Sequence, residues 1–126
     1  MEPSRIAILI VEDEKVIREV MGVMISSRFP DASLYFAENG EMGVELFKEH
    51  LPKIVITDIQ LPVMDGIRMA GEIKTIQNGT LFIVLTAFSN KDYHEKCNAI
   101  GCHDFLLKPI EFDKLFAAIT ACIAEI

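Results

Sequence analysis

Three short runs in this chain are apolar or β-branched without alternation: Ile6 to Val11, Ile54 to Thr57 and Leu81 to Leu85. A strand with one wet face alternates apolar and polar residues, so an unbroken run needs cover on both faces. Between these runs the period changes. Val16, Ile17, Val20, Met21, Met24 and Ile25 recur at three- and four-residue spacing, which predicts a helix starting at Glu14. Gly40 to His50 reads as a second helix stopped by Pro52, and about Gly66 to Ile76 as a third. Asn90 to Ile100 reads as a fourth with Gly101 as its stop, and about Glu111 to the end as a fifth. Ser33 to Ala37 is a shorter, more polar strand suited to an edge, and Asp104 to Leu107 completes a set of five. Pro30-Asp31 and Asn78-Gly79 mark turns.

Strands alternating with helices across short loops imply right-handed crossovers and a parallel sheet with helices on both faces. The expected class is therefore α/β. A chain of 126 residues fills one such domain, 1–126, with no room for a second.

Bulk properties narrow the function. The net charge of −7 opposes binding to a phosphate backbone, so no direct nucleic-acid partner is expected. The longest apolar run is far too short to span a bilayer, and Met1 to Arg5 lacks the pattern of a signal peptide. A cytoplasmic location follows as the expectation. Cys97, Cys102 and Cys122 show neither C-x-x-C spacing nor an even count, so reduced thiols without a redox or metal role are expected.

The polar residues converge. A parallel sheet brings the C-terminal ends of its strands to one edge, where ligand sites of open α/β sheets lie. Strand one ends on Glu12 and Asp13, strand three on Asp58, strand four on Thr86 and strand five on Lys108. Each has a plain alternative when taken alone. Glu12 or Asp13 could favour the N-terminus of the first helix, Thr86 could be an ordinary strand residue, and Lys108 a solvated one. Asp65, before Gly66, is most simply an N-cap. Asp58 resists such an account, because an irregular segment carrying Pro62 follows it, with no helix to cap. Together, three acids and one lysine leave a formal surplus of two negative charges. Carboxylates gathered so closely need a cation. An all-oxygen site with few protein ligands suits Mg²⁺, which shares its coordination with water and phosphate oxygens. Metal and lysine beside Asp58 point to phosphoryl transfer onto a carboxylate.

Those residues carry a family resemblance. Val-Glu-Asp-Glu at 11–14, Asp-Ile-Gln-Leu-Pro-Val-Met-Asp-Gly at 58–66, Thr86-Ala87 and Phe105-Leu-Leu-Lys-Pro109 stand in order along nearly the whole chain. It closely resembles the receiver domain of bacterial two-component response regulators. The resemblance implies a flavodoxin-like sheet of order 2-1-3-4-5. It makes Asp58 the acceptor of a phosphoryl group from a sensor histidine kinase or phosphotransfer protein. It also implies Asp13, Asp58 and the carbonyl of Gln60 as Mg²⁺ ligands, Glu12 acting through a metal-bound water, and Lys108 paired with a phosphoryl oxygen. The Lys108-Pro109 bond is expected to be cis. Thr86 and Phe105 would be the switch, read out on the face of helix four, strand five and helix five. The domain would then be a signalling phosphoacceptor, with no enzymatic activity beyond its own phosphoryl transfer and dephosphorylation.

Some positions depart from the common pattern. Phe105 replaces the more frequent tyrosine, and Gln60 and Phe88 occupy positions that tune the acyl-phosphate lifetime in this family. Cys102 stands where alanine is usual. An alternative, a Mg²⁺-dependent phosphohydrolase with an aspartyl nucleophile, wants a second aspartate where Gln60 stands. A flavodoxin-type electron carrier wants a Ser/Thr/Gly-rich phosphate loop where Glu12-Asp13-Glu14 stands. In the last helix, Leu115, Ala118, Ile119 and Cys122 suffice to cover the sheet, leaving Phe116 and Ile123 as the basis for an expected partner or homodimer contact.

Overall fold

A computed structural model describes residues 6–87, 95, 97, 98 and 101–126. Five strands, β1 (Ala7–Val11), β2 (Ser33–Ala37), β3 (Ile54–Asp58), β4 (Leu81–Thr86) and β5 (Asp104–Leu107), form one sheet. All neighbours run parallel, in the order β2-β1-β3-β4-β5. The doubly wound order and the edge position of β2 agree with the sequence expectation.

The unbroken apolar runs have a simple structural meaning. Successive side chains of a strand point to opposite faces, so each run feeds two cores. Leu9, Val11, Val55, Phe82 and Val84 enter one cluster. It is covered by α2 (Gly40–His50) and α3 (Gly66–Ile76), through Val44, Phe47, Met69 and Ile73. Ile8, Ile10, Ile54, Ile56, Ile83 and Leu85 enter the other. There α1 (Lys15–Arg28) and the C-terminal helix (Phe112–Ala124) supply Met21, Ile25, Leu115, Ala118, Ile119 and Cys122.

Helix ends follow local chemistry. Asn39 caps α2 by accepting from the Met42 amide at 2.8 Å, and Asp65 caps α3 by accepting from Arg68 at 2.8 Å. The cap role expected for Asp65 is thus borne out. Leu51 ends α2 with a left-handed φ of 48°, one residue before Pro52. Gly79 takes the left-handed conformation of its turn, with φ 98°.

Two expectations change. Phe116 and Ile123 of the C-terminal helix are half-buried inside this chain. Phe116 meets Phe29 edge-on at 6.0 Å between ring centres, so it supplies no argument for a partner. Cys97 and Cys102 are paired as a disulfide, with Cα atoms 5.4 Å apart, so the reading of three reduced thiols fails for this pair. The reason is a helix-closing turn that brings the two positions together. The helix expected from Asn90 to Ile100 lies outside the described residues, save for Glu95, Cys97 and Asn98, which are helical. Phe88 lies outside them as well.

Candidate functional site

The parallel register brings the C-terminal ends of β1, β3 and β4 to one edge. Val11 pairs with Thr57, and Asp58 with Leu85, one residue before Thr86. Lys108 follows β5, and its amide donates to the Thr86 carbonyl at 2.7 Å. Residues separated by up to 96 positions therefore meet within hydrogen-bond distance.

Lys108 is the hub. Its Nζ lies 2.7 Å from Asp58 Oδ2 and 2.8 Å from Glu12 Oε1. Each carboxylate has a second, backbone partner. The Gln60 amide donates to Asp58 Oδ1 at 3.1 Å, and the Glu14 amide to Glu12 Oε2 at 3.1 Å. Glu12 thus ties the lysine to the chain entering α1, although no side chain caps that helix. Arg18 donates to the Glu12 carbonyl at 2.8 Å and ties α1 to the end of β1.

Burial makes these contacts count. Glu12 is 1% exposed and Asp58 8%. Burial pushes the Glu12 carboxyl above its ordinary value, against the Lys108 ammonium and the Glu14 amide, and neighbouring Asp13 pushes the same way. For Lys108, burial disfavours the charge, but hydrogen bonds and attraction from Asp58 and Glu12 outweigh it and hold the ammonium above the usual lysine value. The lysine therefore stays charged throughout the physiological range.

The other expected residues sit on or beside β1, β4 and β5. Asp13 is exposed beside Glu12. Thr86 is fully buried at the end of β4. Phe105 is half-buried on β5 and packs against the α2–α3 core. The Lys108-Pro109 bond is cis, as expected.

The loop after Asp58 is shaped by a glycine the sequence reading passed over. A Cβ at Gly66 would overlap the Asp58 carbonyl, so only glycine lets α3 begin this close to the acceptor strand. The Gly66 amide donates to the Ile59 carbonyl at 2.8 Å and closes the loop on itself. Gly40, at the start of α2, likewise abuts the Met64 carbonyl. The signal available was Asp65-Gly66 after a proline-bearing segment. Val63, within it, holds a left-handed φ of 69°.

The donor chemistry fits Mg²⁺. Asp13, Asp58 and the Gln60 carbonyl are hard oxygen donors, whereas Glu12 is engaged by Lys108. Among the described residues no three His, Cys, Asp or Glu side chains form a ready-made cage. A set of two side chains and one carbonyl asks for none, since Mg²⁺ keeps several waters.

Comparison with known proteins addresses the family and the fold. The response regulator receiver domain model matches residues 8–120. The chemotaxis protein CheY of Bacillus subtilis is 34% identical, over 89% of this chain and 92% of its own length. The crystal structure of the N-terminal domain of an uncharacterized Wolinella succinogenes protein is 38% identical, with a TM-score of 0.87 and 94% of each chain covered. The receiver domain of the yeast response regulator Ssk1, in a co-crystal structure with the histidine phosphotransfer protein Ypd1, is 29% identical with a TM-score of 0.83, covering 92% of this chain and 87% of that one. The chain spans only 33% and 30% of two further curated relatives, which are longer proteins. By the family model over most of its length and by identity to full-length relatives, the chain belongs to the response regulator receiver domain family.

Proposed function

We propose that this chain is a single receiver domain over residues 1–126 and that Asp58 accepts a phosphoryl group from the phosphohistidine of a sensor kinase or phosphotransfer protein. The observation that carries the reading is the Lys108 bridge. A buried carboxylate at a strand mouth, held 2.7 Å from a permanently charged ammonium, is a pre-organised acceptor. Asp58 attacks phosphorus through one carboxylate oxygen, forming an acyl phosphate while the bond to the donor histidine nitrogen breaks. Lys108 then exchanges its contact with Asp58 for one with a phosphoryl oxygen and keeps Glu12 as its anchor. The Gln60 amide holds the other Asp58 oxygen in place. Asp13, Asp58 and the Gln60 carbonyl would hold Mg²⁺, with Glu12 acting through bound water. When bound, the ion neutralises charge on the transferring group.

Thr86, buried one residue beyond the β4 partner of Asp58, is placed to sense the new group through its hydroxyl. Phe105, one strand over, would respond by turning inward. The output face comprises the fourth helical stretch, β5 and the C-terminal helix, and acts on a partner, an output domain or a second copy. The protein so read is a cytoplasmic signalling switch, without turnover of a separate substrate. The resemblance to a receiver crystallised with a phosphotransfer protein supports a partner of that class.

The test is incubation with acetyl phosphate or a phosphorylated kinase, with and without Mg²⁺, followed by intact-mass measurement. Wild type should gain one phosphoryl group only with Mg²⁺, and Asp58→Asn none. Equal gain by Asp58→Asn would sink the assignment.

A further inference from the structure

Gly101 closes the helical stretch that holds Cys97. Its φ of 68° is left-handed, and two backbone bonds run back across it. The Cys102 amide donates to the Cys97 carbonyl at 3.0 Å, and the Gly101 amide to the Asn98 carbonyl at 3.1 Å. This pair of bonds is the Schellman closure. It folds the residue after the glycine onto the third residue from the helix end, where an apolar contact usually forms. Here both contact positions are cysteines. Their Cα atoms stand 5.4 Å apart, inside the window of about 4.4–6.8 Å that a disulfide requires. The backbone turn, independently of the sulfurs, thus holds the two thiols at bonding range.

The third cysteine is built differently. Cys122 is buried in the opposite core, and burial, aided by Glu125 and Asp104, pushes its thiol up to about 12. A thiol so seldom ionised is a poor nucleophile. Cys102 is half-buried and offers entry from solvent, whereas Cys97 sits behind it in the core.

We propose that Cys97 and Cys102 form a reversible dithiol–disulfide site that staples the end of the fourth helical stretch to the chain entering β5. The co-reactant is a small-molecule disulfide of the glutathione class. The Cys102 thiolate attacks one of its sulfurs, breaks the S–S bond and releases one reduced thiol. The Cys97 thiolate then attacks the Cys102 sulfur of the mixed disulfide and releases the second. The two protein thiols lose two electrons and two protons, and the reagent gains both as two thiols. Both sulfurs pack against the core cluster that also receives Phe105, three residues after Cys102. Once bridged, the closure around Gly101 cannot open without stretching a covalent link.

The full 126-residue chain is equilibrated with excess oxidised or reduced glutathione, unfolded, alkylated with N-ethylmaleimide and weighed. The reduced sample should take three labels. The oxidised one should take a single label, at Cys122, with peptides containing Cys97 and Cys102 linked after digestion. Cys122→Ser should keep the transition, and Cys102→Ser should lose it. Hydrogen exchange at the Cys102 and His103 amides should be at least several-fold slower in the oxidised form. Three labels after oxidation, a mixed disulfide that persists, a bridge through Cys122 or between molecules, or unchanged exchange would each overturn the proposal. None of these readouts depends on phosphoryl transfer.

Discussion

At the scale of single residues, Lys108 decides what its neighbours cost. Glu12 is buried beside Asp58 and Asp13, and removing a partner from a buried ion pair leaves uncompensated charge worth about 3–5 kcal/mol when burial is complete. This site is partly open to solvent on the lysine side, with the Lys108 side chain 18% exposed. Lys108→Met should therefore destabilise the protein by about 2 kcal/mol at neutral pH in urea unfolding. The loss should shrink in acid, as protonation of the carboxylates removes their repulsion. The same physics sets the pH dependence of the wild type. The Glu12 pKa is raised in the folded state, so the fold binds its proton more tightly than the unfolded chain does. Its contribution is fully present below the ordinary value of 4.5 and is lost as pH rises through the raised folded value. Lys108 is also raised, so its ion-pair contribution is intact below 10.5 and disappears only in stronger alkali. Glu12→Gln should flatten the stability profile in weak acid and weaken the alkaline limb, which Asp58 then sustains alone. An unchanged acid limb would show that another group controls it.

At the scale of elements, the C-terminal helix shows how a periodic pattern can be read correctly and interpreted too far. Leu115, Ala118, Ile119 and Cys122 face the sheet, as their spacing implies. Phe116 and Ile123 looked like residues in search of another molecule. Instead Phe116 closes the seam with α1, edge-on to Phe29 and 6.0 Å from Phe112 between ring centres. Aromatic pairs of this geometry add to the free energy of area burial. Phe116→Ala should lower stability by about 2 kcal/mol, below the figure for a fully buried Phe. It should leave the oligomeric state by light scattering unchanged; a shift from dimer to monomer would restore the partner reading. More exposed apolar side chains occur on α1, where Val16 and Val23 are 71% and 68% exposed, and in the loop after β3, where Val63 is 70% exposed. An amphipathic stripe alone does not reveal this, because it specifies which face is apolar but not how much a neighbouring element covers.

At the scale of the whole molecule, charge and topology act together. The chain carries −7 overall and gathers acids at the sheet edge that forms the site. Counterion release, the main source of affinity for a phosphate backbone, is opposed by this net negative charge. The 126-residue chain should show no salt-dependent retention on duplex DNA in a mobility assay, and binding that weakens with salt would contradict this. The α/β class, the single parallel sheet and the approach of Glu12, Asp58, Thr86 and Lys108 are all legible in the sequence. They follow from the local switch in hydrophobic period and from the rule that parallel strands share one C-terminal edge. The chain by itself therefore determined the layers and the composition of the site. Only the tertiary structure decided that one ammonium bridges Glu12 and Asp58, that Gly66 must lack a Cβ, and that Cys97 and Cys102 meet. Each depends on distances between segments or on the sign of a backbone dihedral, and residue identity and spacing do not encode these until the chain has packed.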